Sequence, residues 1–437
     1  MVDKNIKPGG DEMDIEPAAS EEIKRRIAEI RSADIMVAIP SFNNESTISR
    51  VMQVVADGLS SFFGDRKCVL FVCEGGSLDE TKNVARATDI GLTVEKIVGT
   101  YRGSSGKGNA LRAVFYAAIE LGVEGCALID ADTRSITPDW VNNLLDPVIY
   151  EGYDFVAPFY RRYKYDGTIT NLLVYPLVSS LYGKKLRQPI GGDFALSRKM
   201  LEMFRKQKVW DGYVEQFGID VWMTISAITE GAKICQANLG AKIHDAKDPA
   251  FSLGPMYMQV LSTLMRSMSR FEDKWKSVVA VEEVKVKGTA VPTDPEPIPI
   301  SVTRLIEEYV MGMKHFSPLY REILKEENIR SLEMIAGSRV CTPEGYCDFH
   351  IPSDLWARIV YDICVIFNCW KGNTHKLIDL SSPLYFGMVA SIANLTRDLS
   401  DEDAEDVIEG NLKSFVKEKD YLIKRWEELK AGKVCVD

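Results

Sequence analysis

The chain has 437 residues, 46% of them hydrophobic, with a net charge of −10 and a pI near 5.2. That length and composition predict one large or two moderate domains around a real core, and the acidic balance argues against a nucleic-acid-binding protein, which needs a basic face. No run reaches the ~18–20 apolar residues of a membrane span, and the polar, acidic stretch 1–20 has no apolar core of a signal peptide. A cytoplasmic protein without stable membrane insertion is expected.

Residues 1–20 read as a disordered tail. The segment 21–31 spaces Ile23, Ile27 and Ile30 as one face of a helix. The run 35–40 is continuously apolar, as in a strand buried on both faces. A helix follows over 44–59, with Ile48, Val51, Val54 and Val55 inward. Strands are expected at 68–73, 94–98 and 126–130, and helices at 78–87 and 109–121. Strand and helix alternating at this pace predict βαβ units and a mostly parallel sheet. In such sheets ligands sit beyond the carboxyl ends of the strands, which directs attention to the loops at 40–43, 74–77 and 130–132. From about Tyr257 the pattern turns helical. A proline-rich loop at 282–300 carries Pro292, Pro295, Pro297 and Pro299, and the chain from Ser301 reads as all helix, with Ser400 as an N-cap. Three parts are therefore expected: the tail 1–20, an α/β catalytic domain 21–256, and a helical domain 257–437. The nine cysteines include no C-x-x-C pair. Cys341, Cys347, Cys364 and Cys369 surround His350 at spacings that match no common zinc pattern, so reduced thiols are expected.

Several of these loops carry chemistry. Asp130-Ala131-Asp132, at a strand end, suits a divalent cation held against a diphosphate, since Mg2+ and Mn2+ take one or two carboxylates plus phosphate oxygens; a solvated turn is the plainer alternative. The loop 103–109 is glycine-rich and opens a helix with Lys107, an arrangement that favours an anion, although it is not a Walker A loop because Gly108 follows the lysine. Glu74 ends a strand before two glycines. Gly191, Gly192 and Asp193 form a second glycine turn with an acid. His244 stands near another strand end and is the best further ligand if the Asp pair binds a metal. The segment 159–170 is basic and aromatic in an acidic chain; its arginines can hold a carboxylate bidentately, and its threonines can add a hydrogen bond.

Taken in order, the motifs at 39–45, 74–81, 106–108 and 130–132 resemble the GT-A nucleotide-sugar glycosyltransferases. The later set, Tyr160-Arg161-Arg162 with Thr170, the turn 188–193, Gly218-Ile219-Asp220 and His244, is similar to the retaining enzymes that glycosylate glycerate or 3-phosphoglycerate: the mannosylglycerate synthases and glucosyl-3-phosphoglycerate synthases. The likeness runs from about Asp34 to Arg270. It implies a GT-A mixed sheet with a mostly helical C-terminal domain, a Mg2+ or Mn2+ cofactor, a donor such as UDP-glucose or GDP-mannose, a small carboxylic-acid acceptor, and a role in compatible-solute synthesis. Pro40, Asn43 and Glu45 would line the nucleoside pocket, with Glu74 near the base. Lys107 would contact the diphosphate. Asp130, with Ala131 beside it, would face the ribose or sugar, and Asp132 and His244 would bind the metal. Gly191, Gly192 and Asp193 would hold the donor sugar, and Arg162 and Thr170 the acceptor carboxylate. Asp220 would orient or deprotonate the acceptor hydroxyl, and the helical region would offer a surface for a homodimer. The chain departs from the family pattern at Glu74, at Asp193, and at Asp245, with Lys247 nearby. A transferase with another acceptor, a nucleotide-sugar-binding protein without turnover, and a nucleotidyltransferase are the competing readings.

Overall fold

The apolar runs become strands whose alternate residues enter different cores. In the computed structural model, which describes residues 18–210, 212–244, 254–338, 340–341 and 347–432, the chain proceeds through α1 (Glu21–Ile30), β1 (Ile35–Ser41), α2 (Ile48–Phe62), β2 (Cys68–Glu74), α3 (Thr81–Ala87), β3 (Val94–Thr100), α4 (Lys107–Leu121) and β4 (Gly125–Leu128). Ile35, Val37 and Ile39 of β1 pack into the core that α2 supplies, while Met36 and Ala38 pack into the opposite one with α1 and α4. Period-two alternation with both faces buried is the pattern of a central parallel strand.

Helices α2 and α3 begin later than their apolar spacing suggests, for a local reason. The loops before them are zipped together. Asn43 N–H donates to Ser77 Oγ and Glu45 N–H to Asp79 Oδ2, while Asn43 Oδ1 accepts from Leu78 N–H and Glu45 Oε2 from Glu80 N–H. Backbone groups committed to a neighbouring loop are not free to start a helix.

The chain continues through α5 (Pro138–Ile149) and β5 (Phe155–Arg161). A π-helical turn, Thr170–Val174, leads into α6 (Tyr175–Tyr182), then β6 (Lys184–Lys185), β7 (Phe194–Ser197), α7 (Arg198–Lys206), α8 (Gly218–Thr229) and β8 (Ile234–Ala241). The main sheet has eight strands, counting the short β10 (Val286–Lys287), in the order β10-β8-β5-β7-β4-β1-β2-β3. All neighbours are parallel except β7, which runs against both β4 and β5. This is the α/β class the sequence implies, with one reversed strand near its middle.

Helix α9 (Gly254–Arg270) runs through the boundary expected at 256/257. The third core joins residues 169–182 to α9 and to the C-terminal helices, so the helical layer is built directly onto the sheet domain. The proline-rich stretch is not wholly loop: β9 (Glu282–Glu283) pairs with β6, and β10 extends the sheet edge beside β8. After it come helices at Val302–Ile323, Glu326–Ser338, Ser353–Phe367, Thr374–Thr396, Asp401–Lys417 and Lys419–Lys430. The region is not all helix, because a short antiparallel hairpin, Val340–Cys341 with Cys347–Asp348, interrupts it. Ser400 caps the helix at 401 by accepting from Asp403 N–H. No described helix is long and apolar enough to cross a membrane.

One contact ties the helical layer to the loop after β5. Lys164 Nζ donates to the carbonyls of Thr396, Arg397 and Leu399 at 2.8, 2.7 and 2.7 Å. These are carbonyls at the end of helix Thr374–Thr396 and just past it, where a cation is favoured and acceptors lack intrahelical partners. Lys164→Met is expected to lower unfolding free energy by about 1–2 kcal/mol, measured by chemical denaturation.

Candidate functional site

The strand order decides which loops meet. The carboxyl ends of β1, β4, β5 and β8 open on one side of the sheet. Because β7 is reversed, its amino end, and so the turn Gly191-Gly192-Asp193, arrives on that same side. Together they bound a cavity of about 670 Å3, lined among others by Pro40, Asn43, Lys107, Asp130, Ala131, Asp132, Arg162, Asp166, Thr170, Gly191, Gly192, Asp220, Lys242 and His244.

A buried charge network forms its floor. Lys107 Nζ lies 3.0 Å from Asp130 Oδ1 and 3.0 Å from Asp220 Oδ2. Lys242 Nζ lies 2.7 Å from Asp130 Oδ2, 2.8 Å from Asp193 Oδ2 and 2.9 Å from the Gly191 carbonyl. Asp130 N–H donates to Asp193 Oδ1 at 2.8 Å, and the Tyr160 hydroxyl donates to Asp193 Oδ2. Burial works against the charge on both lysines, yet the facing aspartates hold them above the usual lysine range. For Asp130 burial is likewise opposed, and overcome, by Lys107 and Lys242, which keep it well below an ordinary carboxylate. Asp220 moves the other way: burial raises it and Lys107 offsets this only in part. Its Oδ1 is buried without a hydrogen-bond partner.

Gly192 is required by this geometry. Its φ is +91°, and a Cβ there would lie 2.0 Å from Asp130 Oδ2, so only glycine lets the turn close on the carboxylate.

Beyond Lys107, Arg162 lies over the Tyr160 ring at 5.3 Å and pairs with Asp166 at 2.8 Å. Asp166 Oδ2 also lies 3.5 Å from His244 Nε2. Burial alone would raise Asp166, but Arg162 and His244 hold it well below the carboxylate range. Thr170 opens the π-helical turn and is buried at the cavity wall; π-helical turns recur at functional sites because they re-aim side chains.

Other expected site residues stand elsewhere. Glu74 is buried at the end of β2, opposite Thr100 in the register. It accepts from Ser77 N–H and Thr100 Oγ1, and these bonds hold it ionised against burial. Neither Glu74 nor Glu45 lines the cavity; both stabilise the loops that do. Asp193 lies fully buried beneath the Gly191–Gly192 turn. The glycine-rich loop also has a different basis from an open anion cradle. A Cβ on Gly106 or Gly108 would strike the carbonyls of Glu215 or Val214, and Gly108 and Asn109 N–H donate to Gln216 and Glu215 carbonyls. Its glycines permit that close packing, and the loop's contribution to the cavity's charge is the Lys107 ammonium.

Asp132 and His244 line the same cavity from the turns after β4 and β8. They offer one hard oxygen and one imidazole nitrogen, a set that fits Mg2+ or Mn2+ completing its shell with phosphate and water. Among the described residues no three His, Cys, Asp or Glu side chains converge as a self-sufficient metal cage. Asp245 and Lys247 lie outside the described residues, as do the side chains of Cys341 and Cys347 and the stretch 1–17. Sequence reasoning missed Lys242 and Asp166 as site residues. The available signal for Lys242 was a lysine between Ala241 and Ile243, apolar neighbours at a strand end.

A scan against protein-family models and a search of curated proteins gave no match. Among solved structures, the chain is similar to glucosyl-3-phosphoglycerate synthase from Mycobacterium tuberculosis in complex with Mn2+, UDP-glucose and phosphoglyceric acid, at 26% identity and TM-score 0.44, covering 61% of this chain and 85% of that one. It is similar also to that enzyme in complex with Mg2+ and UDP, at 26% identity and TM-score 0.44, covering 60% and 84%.

Proposed function

We propose that this chain is a metal-dependent hexosyltransferase. It moves glucose or mannose from a nucleoside-diphosphate sugar to D-glycerate or 3-phosphoglycerate, with retention of anomeric configuration, in cytoplasmic synthesis of a compatible solute. The observation that carries the transfer reading is the placement of Lys107 in one cavity between Asp130 and Asp220, with Arg162 and Thr170 also on its wall. Support for retention and for the product's role comes from the sequence resemblance.

The roles follow from the chemistry of the side chains. Lys107, at the first turn of α4, stabilises negative charge on the departing diphosphate, electrostatic catalysis by a preorganised cation in a site shielded from water. Asp132 and His244 would hold the divalent cation, which when bound supplies further positive charge at the diphosphate. Asp130, fixed by two lysines, receives hydroxyls of the ribose or sugar. The free Oδ1 of Asp220 accepts a hydrogen bond from the acceptor hydroxyl and orients it. Arg162 and Thr170 hold the acceptor carboxylate.

The test is a grid of UDP-glucose, GDP-mannose and ADP-glucose against D-glycerate and 3-phosphoglycerate, with and without Mg2+. Release of nucleoside diphosphate that needs both acceptor and metal is expected for at least one pair, and none for any pair would refute the proposal. Arg162→Ala should raise the acceptor KM at least tenfold and leave the donor KM within about twofold. The reverse pattern would move Arg162 to the donor.

A further inference from the structure

The charges around the acceptor end bear on which acid fits. The ionisable residues lining the cavity, among those described, include three cations (Lys107, Arg162 and Lys242) and four carboxylates (Asp130, Asp132, Asp166 and Asp220). Each of those cations is already paired: Lys107 with Asp130 and Asp220, Lys242 with Asp130 and Asp193, Arg162 with Asp166. Nearby arginines face outward, Arg161 to Asp294 and Arg134 to Glu296. A divalent cation offsets the two charges of a sugar nucleotide's diphosphate, and the described lining residues add no positive excess.

Asp166 is held firmly in this arrangement. Its Oδ1 accepts from Gly167 N–H at 2.7 Å, and its Oδ2 faces Arg162 Nη1 at 2.8 Å. Arg162 Nε, by contrast, is buried without a partner. The guanidinium thus has one N–H without a partner while its charge is matched by Asp166. A phosphate ester would bring about 1.5 to 2 further negative charges beside Asp166, where like charges in a poorly solvated site repel.

We propose that Asp166 determines acceptor specificity: by matching the charge of Arg162, it selects a small acid with a single negative charge and rejects its phosphate ester. This rests on the hexosyltransferase reading, so the test is made by binding as well as by turnover. Acceptor Kd is measured by calorimetry with the protein saturated with Mg2+ and whichever of UDP, GDP or ADP binds. Wild type is expected to bind D-glycerate at least tenfold more tightly than 3-phosphoglycerate. Asp166→Asn should shift that ratio toward the phosphate ester by roughly tenfold or more, and Asp166→Glu should keep the wild-type preference. Melting temperatures of both variants establish that they are folded, and the wild-type ratio stands as evidence even if Asp166→Asn is not. Tighter binding of 3-phosphoglycerate by wild type, or a ratio unmoved in folded Asp166→Asn, would overturn the assignment. Absence of turnover with selective acceptor binding intact would count against the transferase reading alone.

Discussion

Replacing Lys242 by methionine is expected to lower unfolding free energy by about 3–5 kcal/mol and to cut turnover at least a hundredfold. The lysine side chain is 4% exposed and touches Asp130, Asp193 and the Gly191 carbonyl. Methionine fills much of the space but leaves Asp193, fully buried, without its cation. Burial already raises the Asp193 pKa with Lys242 opposing it, so removing the lysine removes the chief force keeping the carboxylate charged. The Gly191–Gly192 turn and the Asp130 side chain, both fixed by that ammonium, then lose their register with Lys107. Urea denaturation and steady-state kinetics measure the two effects. The double variant Lys242→Met with Asp193→Asn distinguishes charge from packing, because a neutral amide needs no cation. It should recover at least half of the lost stability without restoring turnover. A single variant with an unchanged denaturation midpoint would show that the network does not hold the site together.

The same network shows how much of the site was legible in the sequence. Lys107, Asp130, Asp132, Arg162, Thr170, Asp220 and His244, spread over more than a hundred positions, share one cavity. Lys107 could be picked out because it is flanked by glycines, Asp130 and Asp132 because they end an apolar run, and Arg162 and Thr170 because their segment is basic and aromatic, while strand ends in parallel sheets converge. Asp220 was pointed to by the family resemblance alone. The hidden part depends on chain direction and burial. Nothing in Phe194–Ser197 announces that this strand runs backwards, yet that reversal brings Gly192 against Asp130. Lys242 looks like any lysine until β5, β7 and β8 surround it. Glu74 looks like a strand-end acid free for a ligand until the register sets it opposite Thr100. Local spacing reports which face a residue takes, and only the pairing of distant strands reports what meets it there.

Asp220→Asn is expected to cut kcat by about 10²–10⁴-fold, the range for a positioned acid–base group, while leaving stability at neutral pH unchanged or slightly higher. The two effects have one cause. Burial raises the Asp220 pKa above its unfolded value despite Lys107. For a carboxyl so shifted, the stabilising contribution is fully present below the unfolded pKa and is lost as pH rises through the folded one. At neutral pH the ionised carboxylate therefore costs the fold something, and an amide relieves that cost while Asp130 still pairs with Lys107. Under the proposed function catalysis needs the opposite charge state, since only the carboxylate can take up the acceptor hydroxyl's proton, whereas an amide or neutral acid oxygen can do no more than accept a hydrogen bond. The acid limb of wild-type kcat/KM should lie above the ordinary aspartate range near 4, and Asp220→Asn should flatten it. Thermal denaturation at pH 5 and pH 7, set beside the pH profiles of both proteins, tests this directly. A variant that lost stability at pH 7 while keeping its acid limb would make Asp220 a structural partner of Lys107 and move acceptor activation to another group.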